Sequence, residues 1–183
     1  LKNNMNSIGV IGNGFVGGAV AEGFKHYFDV KVFDSNPKKS SNTLNETVLQ
    51  KFVFICVPTP MSTNGGECDL THIKNLFDSV KHIKNAETIY IIKSTVPVGT
   101  TSQIKSDHPN LNIVHCPEFL TARTANIDFI TPSRVIVGYP KDFYSPEHEV
   151  PKAVMDLFKE RLPGCSALLM NSEESELVKY TAN

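Results

Sequence analysis

The stretch Ile8-Gly9-Val10-Ile11-Gly12-Asn13-Gly14-Phe15-Val16-Gly17 leaves this chain few ways to fold. An apolar run of strand character leads into Gly12-x-Gly14-x-x-Gly17, and a helical pattern follows without a break. Val16, Ala19, Val20, Gly23, Phe24 and Tyr27 recur at the spacing of one buried helix face. A strand, a glycine turn and a helix in that order are the context that gives G-x-G-x-x-G a mechanism. Gly12 permits the tight turn, Gly14 lets a diphosphate approach the backbone, and Gly17 lets helix and strand pack closely. The helix N-terminus then offers free N–H groups and partial positive charge to phosphates. The next strand, Val30-Lys31-Val32-Phe33, ends at Asp34, 22 positions after Gly12. A carboxylate there accepts from the ribose hydroxyls of NAD and repels the 2′-phosphate of NADP. The competing reading is a glycine-rich turn with an unrelated surface aspartate.

Strands and helices go on alternating to the end of the chain. Ser35 to Thr47 is polar and reads as loop with a short helix. Lys51 to Val57 is nearly all apolar, as expected of a parallel strand buried on both faces. Pro58-Thr59-Pro60 and a loop through Gly65-Gly66 follow, and either proline could carry a cis bond. Asp69 reads as the N-cap of a helix with the stripe Leu70, Ile73, Phe77 and Val80. Further strands are expected over Thr88–Ile92, Asn112–Cys116, Arg134–Gly138 and Ala167–Met170. A short helix is expected after Thr101. Another has Pro151 in its first turn, the stripe Val150, Val154, Leu157 and Phe158, and Pro163-Gly164 as its stop. Asn171 with Glu174 three residues on is a capping-box pattern for a last helix.

The fold class is therefore α/β, a doubly wound, mostly parallel Rossmann sheet with helices on both faces. The expected division is a NAD-binding domain over residues 1–170 and the start of a connecting helix over 171–183. In such sheets ligands bind beyond the carboxyl ends of the strands. That rule collects Val57–Pro60, Ser94–Pro97 and Pro117–Leu120 on the rim that carries the glycine loop.

Charge and composition remove other classes of function. With 183 residues, a net charge of −1 and a pI near 6.6, the chain offers no electrostatic footprint for nucleic acid. Its apolar runs are strand-length, shorter than the ~20 residues of a membrane span, and the N-terminus has no secretory core. The four cysteines, Cys56, Cys68, Cys116 and Cys165, show no paired spacing, which suits reduced thiols in a cytoplasmic protein. His115-Cys116 is the one adjacency that hints at metal, and no ligand set accompanies it, so no metal is expected.

Six motifs in unbroken order carry a resemblance. They are the glycine loop, Cys56-Val57-Pro58-Thr59-Pro60, Lys93 to Thr100, Pro117-Glu118-Phe119-Leu120, Asp128 with Pro132 to Gly138, and Ser172 to Asn183 with Glu176-Leu177-Val178-Lys179-Tyr180. Together they resemble the N-terminal, NAD-binding domain of the UDP-glucose/GDP-mannose dehydrogenase family, from about Ile8 onward. The resemblance implies oxidation of a nucleotide sugar's primary alcohol to a carboxylate, with two hydrides passed to NAD. It implies that Gly12, Gly14, Phe15, Val16 and Gly17 hold the diphosphate, Asp34 the adenosine ribose, and that Lys39 lies beside it. Thr59 and Thr95 would line the cofactor cleft, with Thr95 and Glu118 at the nicotinamide end and Asp34 at the adenine end. Glu118 resembles the acid/base carboxylate, and Phe119 and Leu120 would touch the sugar nucleotide through their backbone. Lys179 and Asn183, four residues apart on one helix face, would bind substrate and steady a developing alkoxide.

Plainer roles stand beside these. Glu118 could be a capping or salt-bridged acid, Lys179 a solvated charge, and Thr95 a helix cap. The sequence also departs from the family. Thr121-Ala122-Arg123 stands where a Glu-Gly pair is usual, and the family's nucleophilic-cysteine segment is not in this chain. Cys116 lies nearest the rim, but its strand position suits packing. A homodimer or a partner domain is therefore expected. Two alternatives remain, a β-hydroxyacid dehydrogenase relative and a non-catalytic NAD-binding module.

Overall fold

The computed structural model describes residues 7–62, 66–83, 87–140 and 148–182. The chain runs β1 (Ser7–Ile11), α1 (Phe15–Phe24), β2 (Asp29–Phe33), a 3₁₀ turn (Pro37–Lys39), α2 (Leu44–Val48) and β3 (Phe52–Ile55). It continues α3 (Thr71–Val80), β4 (Ile89–Ile92), α4 (Thr100–Asp107), β5 (Asn112–His115) and α5 (Ala125–Ile130). It closes with β6 (Arg134–Tyr139), α6 (Glu149–Arg161), β7 (Ser166–Asn171) and α7 (Ser172–Thr181). The strands form one seven-stranded sheet in the order β2-β1-β3-β4-β5-β6-β7. The first five are parallel, β6 meets β5 antiparallel, and β7 is parallel to β6.

The all-apolar β3 and β4 are buried along their whole length, because helices cover both faces. On one face Phe24 of α1 meets Phe54 of β3, Phe129 of α5 and Phe158 of α6, with ring centres 5.5, 5.6 and 6.1 Å apart. On the other, Phe77 of α3 packs edge-on to Tyr90 of β4 at 5.7 Å. Both predicted cap signals at α7 are met, since Asn171 accepts from the Glu174 N–H and Glu174 from the Asn171 N–H. Thr43 and Glu46 build a second such box at α2.

Four details differ from the sequence expectations. Helix α1 ends at Phe24, so Tyr27 leaves the buried stripe, stands 55% exposed and stacks on the Arg161 guanidinium at 4.4 Å. The cap residue of α3 is Leu70, and Asp69 instead accepts from the Thr71 N–H in a local turn. Helix α5 occupies a stretch with no cap signal. No peptide bond among the described residues is cis, Pro58 and Pro60 included, and Gly65 lies outside them.

Candidate functional site

The rim is built first by the loop between β1 and α1. Gly12 has φ +91°, the left-handed region that glycine enters without penalty, and a Cβ there would lie 2.6 Å from the Cys56 carbonyl oxygen. A Cβ on Gly17 would lie 1.8 Å from the Gly12 carbonyl oxygen, while around Gly14 the space is open. The loop is thus tight below and clear above, which fits a diphosphate settling on the backbone at the start of α1. Phe15 caps this opening with 73% of its surface exposed, and Val16 is half-buried beneath.

Asp34 stands where the spacing puts it, at the end of β2. Its carboxylate accepts from the Asn13 N–H at 2.7 Å and the Asn36 N–H at 2.8 Å, so it clips the glycine loop to its own turn. Partial burial pushes the Asp34 carboxyl up, but those two N–H groups and the nearby Lys39 charge outweigh it, and the group titrates below its ordinary 3.8. Asn13 adds a second clip, donating from Nδ2 to the Lys39 carbonyl at 2.7 Å. Each carboxylate oxygen retains acceptor capacity for a ribose hydroxyl.

From the loop a groove of about 270 Å³ runs across the strand ends, bordered by Gly14, Phe15, Val16, Thr59, Thr95 and Glu118. Its far wall is laced together by side chains. Thr59 donates to the Thr95 carbonyl at 2.6 Å, and Ser94 to the Val57 carbonyl at 2.6 Å. Thr95 does not cap α4, whose N-cap is Gly99, and it is half-buried on the groove wall. Asp34 and the pair Thr95–Glu118 therefore lie at opposite ends of one surface, on either side of β1.

Glu118 turns inward. Its Oε1 lies 3.1 Å from Nζ of Lys179, with side chains 14% and 5% exposed, and its Oε2 accepts from the Leu120 N–H at 2.6 Å. The solvated reading of Lys179 does not hold, because α7 folds back over β5 and β6 and delivers it to the rim. Leu120's amide is thus engaged by Glu118 rather than open to a ligand. The Phe119 ring lies between two cations, 5.6 Å from Lys179 Nζ and 5.8 Å from the Arg134 guanidinium. Behind it opens a cavity of about 460 Å³ bordered by Glu118, Phe119, Leu120, Asp128 and Arg134. Glu118 and Lys93 border both this cavity and the groove. Asn183 lies outside the described residues.

Neither thiol nearest the rim, Cys56 or Cys116, has the setting of a nucleophile. Cys116 is fully buried and Cys56 lines the groove, and burial pushes both thiols up, Cys56 to about 12, despite the opposing pull of Lys93. His115 shares a short hydrogen bond with Ser175 and is driven down to about 3 by burial and then by the Lys93 charge, so it stays neutral. Sequence reasoning gave no role to Glu176. It is wholly buried and accepts from Gly99 N–H at 2.6 Å, Thr101 N–H at 2.8 Å and the Thr101 hydroxyl at 2.6 Å, pinning α7 to the start of α4. A glutamate on the same helix face as Lys179 was the available signal. Lys93 was visible only as a member of its motif.

The sheet order, the glycine loop and the carboxylate at the end of β2 define a dinucleotide-binding domain. More narrowly, the chain belongs to the UDP-glucose/GDP-mannose dehydrogenase family, whose NAD binding domain matches residues 40–160. It is 30% identical to UDP-glucose 6-dehydrogenase of Rickettsia conorii over 84% of this chain and 35% of that protein. It is 34% identical to UDP-glucose 6-dehydrogenase of Campylobacter jejuni over 72% of this chain and 32% of that protein. It therefore spans about a third of the length of these relatives. Among solved structures, UDP-glucose dehydrogenase from Pyrobaculum islandicum superposes with a TM-score of 0.80 at 24% identity, over 97% of this chain and 49% of that one. GDP-mannose dehydrogenase from Pseudomonas aeruginosa gives 0.80 at 21% identity, over 96% and 49%. These two likenesses speak to the fold alone. Among the described residues no helix is long and apolar enough to cross a membrane.

Proposed function

We propose that this chain is the cofactor-binding part of an enzyme that oxidises the primary alcohol of a nucleotide sugar to the acid. The observation that carries the reading is Glu118, which borders both the cofactor groove and the cavity behind Phe119 and lies 3.1 Å from the Lys179 ammonium. The glycine loop, Phe15 and Val16 hold the cofactor's diphosphate, Asp34 and Lys39 flank its adenosine ribose, and Thr59 and Thr95 line the nicotinamide end. NAD, when bound, supplies the hydride acceptor. Lys179 offers positive charge to a developing alkoxide, where water is scarce and a fixed ammonium stabilises most. Glu118 holds Lys179 in place and can receive the carbinol proton. Asn183, four positions after Lys179 in the sequence, belongs to the same reading as an orienting amide. Phe119 and Leu120 border the cavity that takes the sugar nucleotide, beside the Arg134 cation, whose charge suits its diphosphate.

Oxidation on to the acid requires a thiolate at the substrate carbon, and burial keeps Cys56 and Cys116 protonated. Cys68 and Cys165 border neither the groove nor the cavity, so the thiolate comes from a further structural unit, a partner domain or a second copy. The test is incubation of the 183-residue chain with NAD and UDP-glucose, following NADH and the uronic acid. The expected result is NAD binding with no acid formed. Two NADH per sugar would mean that a cysteine of this chain serves after all. Turnover of small hydroxyacids would move the assignment to β-hydroxyacid dehydrogenases.

A further inference from the structure

Lys93 is a cation for which that reading has no task. It follows β4 directly, is only 5% exposed, and borders both the groove and the cavity. Its Nζ donates to the Pro117 carbonyl at 3.3 Å, lies 3.7 Å from the Cys116 thiol and 6.0 Å from the centre of the Phe158 ring. These neighbours are a carbonyl, a thiol and an aromatic face, none of which carries a compensating charge. Near it, the Glu118 and Lys179 charges are paired with each other at 3.1 Å. Glu118 is thus engaged by Lys179, and the contacts of the Lys93 ammonium are all with uncharged groups.

We propose that Lys93 makes the cofactor site discriminate between the two redox forms, favouring NADH over NAD⁺. The inference rests on the reading above, in which the Thr59–Thr95 end of the groove receives the nicotinamide. That ring is cationic in NAD⁺ and neutral in NADH, whereas the diphosphate and adenosine are the same in both. A buried ammonium beside the groove repels only the oxidised ring, and low local dielectric strengthens the repulsion. Attraction of Lys93 for the diphosphate cancels in the ratio of the two affinities. A tighter grip on the reduced form draws hydride transfer toward NADH at this site, by linkage. Lys93 then acts on the bound cofactor through space, distinct from Lys179, which faces the substrate.

The experiment compares dissociation constants of NADH, NAD⁺ and ADP-ribose for the wild-type chain, Lys93→Met and Lys93→Arg. NADH emission reads binding directly, since the chain has no tryptophan, and the other two ligands are titrated by displacement. Methionine keeps the apolar stem against Phe158 and removes the charge; arginine keeps the charge. The wild type should bind NADH more tightly than NAD⁺, and Lys93→Met should shrink that ratio roughly five- to tenfold. Lys93→Arg should preserve the ratio, and any change in the affinity of ADP-ribose, which has no nicotinamide, reads the diphosphate contribution that NADH and NAD⁺ share. A ratio unmoved by Lys93→Met, or moved as far by Lys93→Arg, overturns the inference while leaving the cofactor reading intact. Failure of wild type to bind ADP-ribose overturns the cofactor reading itself. If Lys93→Met does not fold, Lys93→Gln makes the same comparison, because its amide retains a donor for Pro117.

Discussion

Glu176 is the residue on which the seating of α7 depends, and removing it gives a measurable forecast. Its carboxylate takes two backbone N–H groups and one hydroxyl from Gly99 and Thr101, all at 2.8 Å or less. Hydrogen bonds to a charged group contribute about 1.5–3 kcal/mol each, and a buried donor left alone costs about 1–3 kcal/mol. Against this, burial raises the Glu176 carboxyl above its ordinary 4.5, beyond what the Thr101 and Gly99 donors recover, so part of the gain is spent on desolvation. The net cost of Glu176→Ala is therefore about 3 kcal/mol. For a chain of 183 residues that is a fall in Tm of about 6–12 °C, readable by circular dichroism or calorimetry. The sign of the pH dependence gives a second arm. A carboxyl whose folded value is raised contributes stability that is fully present below 4.5 and is lost as pH rises through the folded value. The advantage of wild type over Glu176→Gln should thus be largest near pH 4.5 and shrink toward neutrality. A loss below about 1 kcal/mol for Glu176→Ala, or an advantage over Glu176→Gln that grows with pH, would refute the reasoning.

Three further outcomes are expected. Asp34→Ala should narrow the preference for NAD over NADP by about tenfold in parallel titrations, through loss of both ribose acceptor and phosphate repulsion. An equal preference in the wild type would remove Asp34 from that role. Gly17→Ala forces a Cβ to within 1.8 Å of the Gly12 carbonyl oxygen, so it should abolish ADP-ribose binding and lower stability by roughly 3 kcal/mol or more. Urea unfolding indistinguishable from wild type would contradict this. Iodoacetamide at pH 8, followed by peptide mass spectrometry, should label Cys68 and Cys165 and spare Cys56 and Cys116 in the folded chain; rapid labelling of Cys116 would contradict the burial argument.

What the sequence made legible was whatever spacing alone controls. The glycine loop, the strand ending at Asp34 and the capping box at Asn171 are local patterns, and the structure has each of them. Glu118 could be read through topology, because parallel strands deliver their carboxyl ends to one rim. Helix α5 is six residues long and Thr124 makes no side-chain cap, so nothing announced it before Phe129 was seen against Phe24. Tyr27 keeps the period of α1 but lies beyond its end, where periodicity no longer constrains burial. The reversal at β6 is equally silent, since an apolar run carries no direction. Glu176 reaches partners more than seventy positions away, and a sequence pattern has no register for that distance.

The place of Lys179 at the end of α7 has a consequence for how the site comes together and comes apart. The residues bordering the groove run from Gly14 to Glu118, so every one of them precedes α5. Lys179 reaches Glu118 across 61 positions, and only after β6 and β7 have reversed the chain and α7 has docked. The contacts of α7 are chiefly with β6, α4, β5 and β7, so a local opening of α7 is expected to leave the ladder from β1 to β5 intact. In hydrogen exchange such an opening would expose α7 and spare the amides of β1 and β3. A molecule caught in that state would still grip a dinucleotide yet lack the ammonium beside Glu118. Holding a dinucleotide and completing the Glu118–Lys179 pair would then be separable in time, with α7 deciding between them.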